Sequence, residues 1–301
     1  MILTTRLIVM KGVCEETSYS VNFNGDLGML VIPKTMVNPD IQKVGDFDGK
    51  VVEVIAQFQL NKKQQIAFHI GAQRFKELLE IDVTSGNGTI GRGNPLRMLM
   101  TGPGGTGKTH VVKALKELMK MYGSAHRIRF LAPTGTAAAL IDGQTIHSAL
   151  GIPVHLTNAE MRDLRDSNGA DLYMRVSVKC RAELREEWKN VYFILIDEVS
   201  MVSQELLCEI DIVLRDVASC PNDWFGGVNI IFAGDFYQHK PVKQCALYSP
   251  IPCKPNKIYT QMEDVARYGR LVWKSVDTVV ELTEQKCMQE DPEYALACQH
   301  L

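Results

Sequence analysis

From residue 96 onward, short apolar runs alternate with segments in which apolar residues return every three or four positions. The runs Leu96–Thr101, Arg127–Ala132, Val191–Ile196 and Val228–Ala233 predict buried strands. The periodic segments through Lys120, near Thr136–Ile141 and near Gln204–Val217 predict helices. Strands that alternate with helices imply an α/β fold with a parallel sheet covered on both faces. Upstream, the spacing of Ile66, Ile70, Phe75, Leu78 and Leu79 predicts a helix from Leu60 to about Ile81, and the glycine-rich stretch at 85–95 predicts a loop. Residues 1–56 mix apolar and polar pieces with turn signals at Asn24-Gly25-Asp26, Pro39-Asp40 and Asp48-Gly49, which fits short strands, and no motif gives them a role. A charged segment between Asn158 and Lys189 predicts surface helix.

Composition narrows the class. With 301 residues and 46% apolar content, the chain buries a real core as one large or two smaller domains, and disordered, collagen-like and coiled-coil classes are excluded. Lys plus Arg number 33 against 35 Asp plus Glu, a net charge of -2, so polyanions are not bound by bulk charge, and a nucleic-acid surface has to be local. The eight cysteines form no C-x-x-C pair and predict free thiols in a reducing, intracellular compartment. No apolar run reaches a membrane span.

The chemistry concentrates after the first strand. Gly102-Pro103-Gly104-Gly105-Thr106-Gly107-Lys108-Thr109 is a G-x-x-x-x-G-K-[ST] string between strand-like and helix-like segments. Such glycines let backbone N–H groups curl around phosphate oxygens, with Lys108 reaching the β/γ-phosphates and the Thr109 hydroxyl ligating Mg²⁺. Tyr192-Phe-Ile-Leu-Ile-Asp197-Glu198 is an apolar strand ending in two acids: Asp197 is placed to hold the metal directly or through water, and Glu198 to accept the proton of an attacking water. A further strand runs into Asp235-Phe236-Tyr237-Gln238. Either Gln238 touches a γ-phosphate or the attacking water, or Asp235 caps a helix and the glutamine is incidental.

Taken in order, these stretches resemble the RecD/Pif-type DNA helicases of superfamily one, which move 5′ to 3′. Leu60-Asn61-Lys-Lys-Gln64 is similar to the family's Q motif, Gly102–Thr109 to motif I, and Ala132-Pro133-Thr134-Gly135-Thr136-Ala137-Ala138 to motif Ia. Gly143-Gln144-Thr145-Ile146-His147-Ser148 resembles the T-I-H-S element, Asp197–Val202 motif II and Gly234–Gln238 motif III. The resemblance implies a RecA-like P-loop domain using ATP and Mg²⁺ to step along single-stranded or tailed duplex DNA. It implies that Gln64 pairs with an adenine edge, that Gly102, Gly104, Gly105, Thr106, Gly107, Lys108 and Thr109 bind nucleotide, and that Pro133, Thr134, Gly135, Thr136 and His147 grip the strand. Phe236 and Tyr237 either stack a base or, for Phe236, pack in the core. Lys108, Asp197, Gln238 and Gln64 are expected to converge on one cleft at the strands' C-terminal ends. Genome maintenance in a nucleus or mitochondrion, through repair, recombination or telomere upkeep, goes with the resemblance if the source is eukaryotic.

Two departures stand out. Motif III continues as Gln238-His239-Lys240-Pro241-Val242, with a basic pair where the family has Leu-Pro. Leu282–Tyr294 resembles motif IV but has Cys287 where the family has an arginine, and none of the later motifs follows. The expected organisation is therefore an N-terminal segment at 1–56, a first motor domain at 57–280 and the start of a second at 281–301, with ATP binding, weak hydrolysis and no processive unwinding by these residues alone. The alternatives are another P-loop ATPase and a module that holds ATP or single-stranded DNA without turnover. Oligomeric state is left open.

Overall fold

A computed structural model describes residues 46–85, 94–152, 178–218, 220–242, 244–250 and 261–285. The short strands expected over 1–45, Lys286 and Cys287 lie outside the described residues, as do most of the 85–95 loop and of the 158–189 segment.

The sheet has six strands: β1 (Arg97–Thr101), β2 (Ile128–Ala132), β3 (Gln144–Thr145), β4 (Phe193–Ile196), β5 (Asn229–Gly234) and β6 (Thr278–Glu281). All pairings are parallel, in the order β3-β2-β4-β5-β1-β6. Alternate residues supply two cores. Met98, Met100, Phe193, Leu195, Ile231 and Ala233 face one side, and Leu99, Ile194, Ile196, Ile230 and Phe232 the other. A strand buried on both faces reads as a continuous apolar run, which is why four of the six are visible in the sequence.

The first face is covered by α1 (Phe47–Phe58), α2 (Lys62–Ser85) and α3 (Lys108–Met121), and α4 (Gly135–Leu140) adds Ala138 to it. The second is covered by α5 (Ile146–Leu150), α6 (Val178–Trp188), α7 (Gln204–Val217) and α8 (Gln261–Lys274). The helix α1 corrects the expectation of strands before residue 56. Phe47, Val51 and Val54 are buried at helical spacing and Val52 is exposed, so the apolar stripe outweighs the strand preference of the β-branched residues. The Asp48-Gly49 pair lies in the first turn of α1. Strand β6 and helix α8 add to the expected set. Their signals are present in the sequence, as Val265, Gly269, Val272 and Val276 at three- and four-residue spacing and the apolar Val279-Val280 pair.

Among the described residues, Cys208, Cys220 and Cys245 are free thiols, and no helix is long and apolar enough to cross a membrane.

Candidate nucleotide site and strand-facing edge

Every expected site residue except Gln64 follows the C-terminal end of a strand. β1 runs directly into the phosphate loop. Gly102 adopts φ 148°, and a Cβ there would run into the Leu282 carbonyl, where the chain leaves β6 beside β1. Gly107, at φ 77°, precedes α3, so only glycine fits both the conformation and the neighbouring contact. Lys108 Nζ donates to the carbonyls of Gly102 and Pro103 at 2.7 and 3.0 Å. An ammonium has three protons, so one remains for a phosphate oxygen.

Strand β5 lies between β1 and β4, yet the first turn of α3 reaches across to β4: Thr109 Oγ1 donates to Asp197 Oδ2 at 2.9 Å. Asp197 Oδ1 accepts the Glu198 N–H at 2.9 Å. Glu198 is held left-handed at φ 52°, a costly conformation for a non-glycine residue and one that collects at functional sites. Behind it, Val199 packs so closely on Gly234 that a Cβ would clash with its backbone nitrogen. Lys108 faces Asp235, Asp197 and Glu198; burial lowers its pKa, and the three carboxylates oppose that. Burial, and then the charge of Asp197, raises the pKa of Glu198, which Lys108 and His239 temper. A carboxylate so placed takes up a proton more readily than one in water.

These groups fit a magnesium–nucleotide. The Thr109 hydroxyl donates its proton to Asp197, which leaves its lone pairs for a cation.

After β5, Asp235 closes a turn and not a helix: its Oδ1 accepts Tyr237 N–H at 3.0 Å and its carbonyl accepts Gln238 N–H at 3.1 Å. The Gln238 amide lies near the loop apex, 3.6 Å from where a Cβ on Gly104 would sit. Phe236 packs edge-on against Tyr248 and Trp273 in the core, whereas Tyr237 is 100% exposed.

Lys108, Thr109, Asp197, Glu198 and Gln238 therefore converge, and Gln64 approaches from behind. Gln64 is buried, and both ends of its amide are engaged by the chain. Oε1 accepts Asn61 N–H at 3.0 Å, Gln64 N–H donates to Asn61 Oδ1 at 2.9 Å, and Nε2 donates to the Thr106 carbonyl at 2.9 Å. Asn61 and Gln64 form a reciprocal capping box at the start of α2, which accounts for the burial. Gln285, which lies in the stretch that resembles motif IV but was given no role there, donates from Nε2 to the Gly104 carbonyl at 3.3 Å.

The residues expected to hold single-stranded DNA follow β2 and β3, at the edge of the sheet beyond β4. Thr134 caps α4, accepting Ala137 N–H at 3.2 Å, and Thr145 caps α5, accepting Ser148 N–H at 3.3 Å. The pairing Ala132↔Thr145 sets these helix starts side by side. Gly135 and Thr136 are exposed, Pro133 and His147 partly so.

A parallel sheet with this loop, this hydroxyl–carboxylate pair and a following glutamate defines a RecA-like P-loop nucleotide-binding domain. The chain belongs to the PIF1-like helicase family, which it matches over residues 87–291. The ATP-dependent DNA helicase PIF1 of Saccharomyces cerevisiae is 33% identical over 151 residues, covering 50% of this chain and 16% of the yeast protein. Its human counterpart is 31% identical over 180 residues, covering 60% of this chain and 25% of the human protein. The crystal structure of Pif1 helicase from Candida albicans shares the fold with a TM-score of 0.50 at 20% identity, covering 78% of this chain and 42% of that one. The chain thus spans a quarter or less of these curated relatives.

Proposed function

We propose that this chain supplies the first motor domain of an ATP-dependent DNA helicase, hydrolysing ATP to move 5′ to 3′ on single-stranded DNA. The observation that carries the reading is the Thr109–Asp197 contact beside a left-handed Glu198 of raised pKa, all within the field of Lys108. Thr109 and Asp197 would hold Mg²⁺, which when bound neutralises phosphate charge. The loop's N–H groups and Lys108 orient the triphosphate, Glu198 takes the proton of the attacking water, and Gln238 stands at the γ-phosphate side. Because α1 and Leu282 pack into the same core as the sheet, this domain reaches from about Phe47 to Leu282 and not only over 57–280, and the motif IV-like stretch opens a second. A tailed duplex suits the track at Pro133–Thr136 and His147, where exposed hydroxyl and backbone donors grip phosphate without reading sequence. Genome maintenance in a nucleus or mitochondrion goes with this reading in a eukaryote.

The test is ATP turnover by the purified chain with and without single-stranded DNA. Stimulation by DNA is expected, with turnover reduced roughly 100-fold or more in Lys108→Ala. Turnover that persists in Lys108→Ala, or a wild type that binds no ATP, overturns the reading; turnover indifferent to DNA points to another P-loop ATPase.

A further inference from the structure

Beyond β5, the turn that presents Gln238 has few holds on the fold. Tyr237, Gln238, His239 and Lys240 are exposed, and the hydrogen bonds that Asp235 accepts shape the turn from within. The contact with the rest of the domain is made by Phe236. Its ring meets Tyr248 at a centroid distance of 5.6 Å and Trp273 at 5.7 Å, with interplanar angles of 83° and 77°. Edge-to-face pairs of this kind fix orientation as well as distance, because a positive ring edge seeks a negative face. Trp273, on α8, also packs edge-on against Phe232 of β5 at 5.3 Å, so this side of the clamp is fixed to the strand that feeds the turn.

The Tyr248 side needs separate support, since Tyr248 lies at the surface in a stretch outside every helix and strand. Gln204, at the start of α7, supplies it. Gln204 is 1% exposed, and its donors all end on this stretch: N–H on the Cys245 carbonyl at 2.9 Å, and Nε2 on the carbonyls of Ala246 at 2.9 Å and Ser249 at 2.8 Å. Ser203 pairs with Ala246 in an antiparallel bridge, and Arg270 of α8 donates to the Leu247 carbonyl. A buried amide that gives both side-chain protons to carbonyls on either side of Tyr248 holds that loop in one shape. We propose that Gln204, Tyr248 and Trp273 are positioning residues: Gln204 fastens the loop, Tyr248 and Trp273 grip Phe236, and Phe236 sets where Gln238 stands for hydrolysis. This rests on the reading above, in which Gln238 stands at the γ-phosphate side.

A double-mutant cycle in the full chain tests it, with KM and kcat for ATP measured in the presence of single-stranded DNA. Tyr248→Ala removes one side of the clamp at a surface position. Its kcat should fall roughly tenfold with KM within about twofold of wild type, and Tyr248→Phe, which keeps the ring, should restore the wild-type value. Gln204→Leu fills the same buried space without the two donors, and its kcat is expected to fall about threefold. In a Gln238→Ala background neither substitution should lower kcat further, since residues that act through one group are not additive. Losses that multiply with that of Gln238→Ala, as a general weakening of the fold would give, overturn the proposal. So does wild-type kcat in both Tyr248→Ala and Gln204→Leu. Wild-type kcat in Gln238→Ala itself removes the placement of Gln238 at the phosphate and the proposal with it, so the two failures are distinguishable.

Discussion

At the N-terminal end of the sheet, Asn229 is 2% exposed and engaged at both ends of its amide. Its Oδ1 accepts Arg74 Nε at 3.0 Å and Leu96 N–H at 2.8 Å, and its Nδ2 donates to the Tyr192 carbonyl at 2.8 Å. One side chain thereby ties α2 and the entries to β1, β4 and β5. At the C-terminal end, Asp197 is about as buried, at 9% exposed, but its neighbours keep unused capacity: a third proton on Lys108, lone pairs on Thr109, and a glutamate in a strained conformation. Both ends carry buried polar groups. The first network is closed and returns its desolvation cost as stability, and the second is open and holds its capacity for a ligand.

The sharpest test of that contrast is Glu198→Gln, which preserves size and removes the proton acceptor. ATP turnover should fall roughly 100-fold or more, as for loss of a general base, while nucleotide binding and thermal midpoint stay near those of the unaltered chain. Turnover within a few-fold of wild type would show that another group accepts the proton.

The reverse pattern is expected at the other end. Asn229→Ala takes the shared acceptor from Leu96 N–H and Arg74 Nε, and should cost about 3 kcal/mol of unfolding free energy in a denaturant titration. Below the transition, turnover per folded molecule should remain close to wild type. A loss of turnover as large as that of Glu198→Gln would mean that the two ends are coupled and that the contrast fails.

The two ends also differ in how far they can be read from sequence. The phosphate loop and the Asp197-Glu198 pair carry local strings whose chemistry needs those residue types at that spacing, so their roles are visible before any fold is known. Asn229 shows no such pattern: a lone asparagine opening an apolar run becomes a staple only once β1 and β4 flank β5. Gln285 is hidden for a similar reason, because it meets Gly104 only when β6, 177 or more residues downstream of β1, pairs beside it. For Gln64 the motif located the residue at the site, but burial and the capping box decide what its amide touches. In α1 the β-branched run Val51-Val52 misleads local reading, and the stripe on one face settles the matter through packing.

A third polar cluster is closed like that of Asn229 and can be opened by pH. Asp211 is 0% exposed and accepts Phe225 N–H at 2.6 Å, Arg215 Nε at 2.7 Å and Tyr268 Oη at 3.1 Å, joining α7 to α8 and to the left-handed turn at Phe225. Burial, and then the Asp211 charge, pushes the Tyr268 pKa up to about 12 against the opposing pull of Arg215. The folded chain therefore keeps the phenolic proton in a range where the unfolded chain, with an ordinary tyrosine pKa near 10, releases it. A raised folded-state pKa gives a contribution that is fully present below about pH 10 and is lost as pH climbs to about 12. Stability should thus decline over that window more steeply in the wild type than in Tyr268→Phe, and the difference between the two curves isolates this residue from lysines and thiols that titrate in both proteins. Parallel curves would mean that Tyr268 ionises as it does in water and that its bond to Asp211 contributes nothing to holding α8 in place.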